Sequence, residues 1–460
     1  DGKGFVGLGG LLIRPQGAPD AEVATGDQRV YSLERTAAGW RVSGPGRPSF
    51  VVTGAAGLAI ADGSGLPVFG NRPSELPQSY ASALKAGPSS ADGMLPLTPD
   101  CPTEPSPWRA LQVGDAPVSA VARADDGRIA AGDESGRGVV FDAAGEKLRS
   151  VSEESAILSL HFLGDELLVG EDRGALSSRA LDGSTGWQVV IPYEPMPWDY
   201  WSEYRSRVRE ITSADIDGDG VEEILISNSD RRVYAFDDDR TQLWRAPVEW
   251  GIFTAMTAGE FMGEFGLFGG TSQPSIHGRC TVFGPDGRVV KHIARSDLVS
   301  WSVPSQFRDM RLSDIDGDGE DEIINAVDTN CRQLVVYGQD RSVKWDADVA
   351  GAANCIALDD DGQAVYCGSE SGYVHAFEGP TGERRWSTWV GEPVQLLART
   401  GDRLAAVTHS PNVYLLEADG TLVGRVELPA AVSAVNRPGD HRVGDPLLLG
   451  TENGLVISDR

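Results

Sequence analysis

Methionine, cysteine, positive charge and long apolar runs are what this sequence has least of. Its 460 residues hold 5 Met and 5 Cys, and no stretch approaches the roughly 18 to 20 apolar residues that a bilayer-crossing helix needs, so no membrane span is expected. No amphipathic pattern persists beyond a couple of helical turns. The cysteines, Cys101, Cys280, Cys331, Cys355 and Cys367, show no CxxC spacing and no histidine at zinc-like distance, which argues against structural zinc. Cys355 and Cys367 read as lying on neighbouring antiparallel strands, where a cross-strand disulfide and two buried free thiols both remain open. Lys and Arg number 40 against 68 Asp and Glu, a formal charge of -28; that field repels phosphate and demotes nucleic acid and anionic lipid as partners. The opening residues, Asp1 to Gly4, lack Met and a charged-then-apolar leader, which suggests a processed or excised chain.

What is abundant is turn chemistry. Gly 56 and Pro 27, with an apolar share of 40%, suit many short strands joined by tight turns. A chain this long would ordinarily divide into two to four domains unless a repeat array accounts for it. Self-similarity supplies the array. One turn recurs eight times as a small-residue strand end, a polar tip and a β-branched or aromatic strand: AAGDESGRGVVF from Ala130, LVGEDRGALSS from Leu168, LISNSDRRVYAF from Leu225, LFGGTSQPSIHGRCTVF from Leu267, NAVDTNCRQLVVY from Asn325, VYCGSESGYVHAF from Val365, AVTHSPNVYLL from Ala406 and LLGTENGLVIS from Leu448. An apolar strand precedes each copy, and a Trp-bearing strand follows several, at Trp244, Trp345 and Trp386.

Four strands in about 40 residues make a propeller blade. The last unit lacks its fourth strand, and the segment Trp108 to Val113 reads as that strand, so that pairing of distant segments closes the ring and leaves no open edge. The expected architecture is therefore all-β: an eight-bladed β-propeller over 106–460, a Pro/Ser/Gly-rich linker over 71–105, and a small β-sandwich-like domain over 1–70.

Two acidic loops share one pattern. Asp215, Asp217, Asp219 and Glu223 stand at positions one, three, five and nine of the first loop, and Asp314, Asp316, Asp318 and Glu322 at those of the second. Alternate carboxylates in a tight turn converge on a hard cation, Gly220 and Gly319 permit the bend, and position seven, Val221 or Glu320, offers a main-chain oxygen. Ca2+ is the expected ion. Position twelve holds Ile226 and Asn325 instead of the Glu of a helical EF-hand, and both loops run straight into strands. The pattern resembles the calcium loops of FG-GAP-type propellers, which implies a structural ion and, from the usual affinity range, a secreted, periplasmic or cell-surface location. The segments from Val233 to Trp244 and from Ala376 to Trp386 resemble the repeat of quinoprotein-like propellers. That likeness implies the fold only, because the adjacent cysteine pair of the quinoprotein dehydrogenases is missing.

Propeller topology puts the links between blades on the same face as the turns between second and third strands, opposite the acidic loops. Two insertions decorate that face, one carrying Trp198, Tyr200, Trp201, Tyr204, Arg205 and Arg207, the other Trp301 and Arg308. Aromatic faces attract sugar rings, and Arg205, Arg207, Arg231, Arg232, Arg279, Arg308 and Arg332 suit carboxylate or sulfate, so an acidic polysaccharide or other glycan is the expected ligand. The same aromatics could instead plug the channel or cover the N-terminal domain. A polysaccharide lyase on this face would draw its base from His277, its acid from Tyr200 or Tyr204, and its carboxylate clamp from Arg205 or Arg308, with His409 nearby; His161 and His375, inside strands, read as structural. The outline of a small β-domain before a calcium-bearing eight-bladed propeller is similar to the rhamnogalacturonan lyases, although no catalytic motif matches residue by residue. Glu194, Asp199, Glu203 and Asp328 are the carboxylates a glycosidase would have to use. A non-catalytic module binding glycan or protein, part of a larger secreted or surface protein, is the competing reading.

Overall fold

A computed structural model of the chain describes residues 101–104, 108–180, 184–194, 205–248, 251–273, 280–293, 305–327, 333–349, 351–359, 362–400, 402–435 and 446–458, with the backbone of six strands before residue 53. Every regular element among the described residues is a strand, and no helix there is long and apolar enough to cross a membrane. In the N-terminal region the strands Ala21–Ala24, Val30–Thr36, Gly39–Gly44 and Arg47–Val52 form an antiparallel meander.

From residue 108 onward the chain is the expected eight-bladed propeller. Each of the first seven blades is an antiparallel meander of four strands, the blade-three sheet running Val208–Ala214, Glu223–Asn228, Arg232–Phe236, Gln242–Pro247. The eighth blade has three consecutive strands, and Arg109–Leu111 pairs with Gly454–Ile457 to complete it, as the sequence predicts. Thr103–Glu104 adds a fifth strand, parallel to Leu422–Glu427 of blade seven, so the propeller sheet takes in residues just before position 106.

The apolar runs are short because each blade is a layer between two others. Second strands such as Ile129–Asp133, Glu322–Val327 and Ala364–Ser369 are buried at every residue, whereas the outer fourth strand Gln242–Pro247 is largely exposed. The described residues contain eight hydrophobic clusters, and each lies between a pair of successive blades. The core is thus a ring of seams with no single centre, which is how the propeller residues fold without dividing into several compact cores.

The recurring turn is explained by those seams. The second strand ends on a buried polar residue, Asp133, Glu171, Asn228, Ser369, Thr408 or Thr451, that bonds groups of its own turn or of the preceding link. Asp133 Oδ1 accepts from the Ser135 and Arg137 amides, and Glu171 Oε2 from the Ser155 amide. The residue before it is glycine in blades one, two, six and eight. A Cβ on Gly132, Gly170, Gly368 or Gly450 would come within 2.6 Å of Ile157, Val208, Val394 or Val118, the leading side chain of the next blade. Immediately after that leading residue every first strand carries a β-bulge. Bulge residues then stitch the seams: Thr254 Oγ1 donates to the Phe307 carbonyl at 2.6 Å, Asn354 Nδ2 to that of Val394 at 3.0 Å, and Ser433 Oγ to that of Val118 at 2.7 Å.

Fourth-strand tryptophans lock the rim. Trp244 Nε1 donates to Pro285 O, Trp345 Nε1 to Gly379 O and Trp386 Nε1 to Ala418 O, each indole lying over a glycine of the next blade, Gly287, Gly382 or Gly420. The cysteine alternative resolves toward free thiols. Register pairs Cys355 with Gly368 and Ile356 with Cys367, so the two sulfurs point to opposite faces of blade six and no disulfide joins them.

Candidate functional site

Two faces of the ring carry chemistry. On one, the acidic loops join first and second strands of blades three and five, and their backbones are nearly superposable in hydrogen bonding. Asp215 Oδ1 and Oδ2 accept from the Gly218 and Gly220 amides at 2.7 and 2.9 Å, and Asp314 does the same for Gly317 and Gly319 at 2.7 and 3.0 Å. Gly218 and Gly220 have φ of 80° and 90°, which L side chains rarely adopt. Asp219 and Asp318 bond back to the amides of Val221 and Glu320. Carboxylate oxygens of Asp215, Asp217 and Glu223 lie within 4.8 Å of one another, as do those of Asp314, Asp316 and Glu322. Three of the expected carboxylates therefore converge in each loop, while the position-five carboxylates lie outside that group.

Position nine is the least ordinary feature. Glu223 and Glu322 are buried, each giving one oxygen to a loop amide, Ile216 at 2.8 Å and Ile315 at 3.0 Å. Desolvation and the neighbouring charges of Asp217, Asp219 and Asp215 push the Glu223 carboxyl above its ordinary range. A buried carboxylate among acids is expensive without a cation, and a hard all-oxygen donor set fits calcium.

The loops differ in what answers that charge. In blade five the Lys344 ammonium, from the fourth strand, lies 2.6 Å from Asp316 Oδ2, 2.5 Å from Glu322 Oε1 and 3.3 Å from Asp318 Oδ2. In blade three the same strand position, one residue before Trp244, is the exposed Leu243. Among the described residues no ion pair reaches Asp215, Asp217, Asp219 or Glu223.

The opposite face holds the expected cations. Arg205 Nη2 and Arg207 Nε share Asp172, at 2.9 and 2.8 Å. Arg232, expected at the ligand face, is held by Asp230 and Glu194 with little exposure. Arg231 has φ 63° where blades one, two and six use Gly136, Gly174 and Gly372, a conformation that costs a side-chain-bearing residue free energy. The bulge positions add a feature that sequence reading missed in part. They hold Ser119, Leu158, Arg209, Thr254, Arg308, Asn354, Gln395 and Ser433. Since first strands pack against one another around the axis, Arg209 and Arg308 stand at the inner rim of this face.

Both shape the local field. Desolvation, then Arg207 and Arg205, depress the Arg209 pKa, with Asp172 opposing. Partial burial and then the Arg308 charge hold His409 below the ordinary imidazole value, with Glu392 opposing; His409 Nδ1 is 2.5 Å from Gln395 Nε2. His375 bonds Ser387 and the Val349 carbonyl, and His161 bonds Ser213, the structural roles expected of them. His277, Tyr200, Tyr204, Trp198, Trp201, Trp301, Arg279 and Arg332 lie outside the described residues.

The fold and its two faces thus define an eight-bladed propeller with paired acidic turns beneath a partly cationic rim. No protein-family model matches the sequence, and no curated protein aligns with it. Among solved structures the chain is similar to Sqt1 of Saccharomyces cerevisiae, at a TM-score of 0.60 and 12% identity over 78% of this chain and 98% of that one. It is similar also to Sqt1 of Chaetomium thermophilum bound to the N-terminus of the ribosomal protein L10 (0.57, 13%, 78% and 100%) and to the computationally designed Ika8 protein (0.55, 13%, 76% and 97%). At such identities the likeness speaks to the fold alone.

Proposed function

We propose that this chain is a ligand-binding propeller that works outside the cytoplasm, carries acidic turns of calcium-binding type and takes an acidic polysaccharide on the opposite face. The observation that carries the ligand reading is the pair Arg209 and Arg308, at bulge positions where the other six blades have uncharged side chains. In a chain of charge -28, cations on one face, Arg209 near Arg205 and Arg207 and Arg308 two blades on, favour a polyanion with regularly spaced carboxylates or sulfates. The strained Arg231 on the same face adds to that reading. Calcium is supported by the all-oxygen donor sets, and an extracytoplasmic setting by the calcium concentrations such loops need. The loop resemblance to FG-GAP-type propellers agrees with both.

The test is retention on immobilised polyuronate and sulfated glycan, with a neutral glucan as control. Arg209→Ala combined with Arg308→Ala is expected to weaken retention at least about tenfold, the scale of one lost charge-assisted contact, with an unchanged melting temperature. Undiminished retention would refute the rim as the site. Binding to a protein segment instead, as in the Sqt1 complex with a ribosomal protein's N-terminus, would support the competing module reading.

A lyase is a second reading, favoured by His409 standing on the same face as Arg308, where partial burial and then the Arg308 charge lower the imidazole pKa. In β-elimination a base removes the proton α to the uronate carboxylate, the C–O bond to the leaving sugar breaks as a ring double bond forms, and an acid protonates the departing oxygen. An imidazole of lowered pKa and a guanidinium suited to the uronate carboxylate would supply two of those three parts. Growth of absorbance at about 235 nm on polyuronate, abolished by His409→Ala or His277→Ala, would establish catalysis; a flat trace with retained binding leaves the non-catalytic propeller.

A further inference from the structure

We propose that the two acidic loops answer their charge in different ways: blade three through a dissociable calcium ion, and blade five through the tethered ammonium of Lys344. This inference rests on the calcium reading of the loops and goes beyond it by making them unequal.

The argument starts from equivalence. The loops match at every ligand position and in their backbone hydrogen bonds, and each converges three carboxylates, including one that is buried. Each is followed in its own blade by a fourth strand with a bulge one residue before the docking tryptophan, at Leu243 and Lys344. In blade five the Lys344 side chain reaches back over the loop of its own blade, 22 to 28 residues away in sequence. In blade five what arrives is an ammonium, bonded at 2.5 and 2.6 Å to two of the converging carboxylates and at 3.3 Å to the position-five carboxylate. A calcium ion bound by this loop would take the same oxygens. The two cations compete for one place, and Lys344 competes for it intramolecularly, which lowers the apparent calcium affinity of this loop. Leu243 offers blade three no such substitute.

Three consequences follow. The protein binds one calcium ion tightly, in blade three. Blade five holds its shape in the absence of metal. The exchange of one residue converts either loop into the other kind.

The experiment counts ions. Metal-stripped protein is titrated with CaCl2 by calorimetry, and melting is followed with and without chelator. The wild type is expected to bind one tight ion, and Glu223→Gln to abolish that binding and the melting response. Lys344→Leu, which installs the blade-three residue, is expected to add a second ion and to make blade five chelator-sensitive. Leu243→Lys is expected to lower blade-three calcium affinity at least about tenfold, since an ammonium–carboxylate contact must be broken for each ion bound. If Lys344→Leu fails to fold without metal, refolding in calcium chloride recovers it and supports the proposal; Lys344→Gln, which keeps a donor, supplies a second variant for the count. Two equal sites in the wild type, unchanged by Lys344→Leu, would overturn the tethered cation while leaving calcium in place. Silence of wild type and Lys344→Leu alike would overturn both.

Discussion

Truncating Asp309 should weaken the propeller at the seam between blades five and six. This carboxylate is buried at the start of blade five and accepts from the Ile356 amide of blade six at 2.7 Å, from the Met310 amide at 2.8 Å, and from Arg311 Nη1 and Nη2 at 2.7 and 3.1 Å. Arg311 Nη2 also reaches the Ile356 carbonyl at 3.1 Å. One ion pair therefore clamps both backbone groups of a residue on the neighbouring blade. Asp309→Ala strands a guanidinium that is only 12% exposed and leaves the Ile356 amide without its acceptor, a loss of about 3–5 kcal/mol by the general behaviour of broken buried pairs. Removing both charges, as in Asp309→Leu with Arg311→Met, should lose much less, because nothing charged is then left stranded. Urea denaturation reads the global effect, and hydrogen exchange at the Ile356 amide reads the seam itself. A loss below about 1 kcal/mol for Asp309→Ala, or a double variant that loses the sum of the singles, would refute the clamp.

Gly368→Ala should cost about 1–3 kcal/mol through overpacking, since the added Cβ would lie 2.6 Å from both Cys355 Sγ and Val394 Cγ1; a melting temperature equal to wild type would contradict that geometry. The His409 imidazole should titrate below the ordinary value of about 6.5, and Arg308→Gln should move its midpoint upward, both visible by NMR. The sign follows for stability: the unfolded chain takes up this proton first, so the contribution of His409 is whole above about pH 6.5 and declines as pH falls below it. His409→Asn should flatten that part of the profile.

The blades were legible because their signal is local. A glycine, then a polar residue, then a tight turn marks the end of a second strand, and the reason is now visible in the contact between Gly132 and Ile157 or Gly368 and Val394. The acidic loops were legible for the same reason, as nine consecutive positions hold all their carboxylates. What stayed hidden depends on residues brought together by the fold. Lys344 reaches Asp316 across 28 positions, Asp309 reaches Ile356 across 47, and neither spacing has a pattern to read. Arg209 carried no signal in the sequence, and only its bulge position places it, like Arg308, on the inner rim of that face. Arg232 shows the converse: a surface cation in sequence, but in space the partner of Asp230.

The clasp of the ring has a consequence for how the molecule is made. Arg109–Leu111 leaves the ribosome before any full blade, yet its partner, Gly454–Ile457, lies some 340 residues later. Seven blades can stack in order as they emerge, each seam formed by neighbours in sequence. The eighth must wait for the longest loop in the chain to close, at an entropic cost that grows only with the logarithm of that length. Since the seams are alike, the cut in the circle need not fall where it does. A permuted chain that begins at another blade should build the same ring, with its final step moved to a different seam.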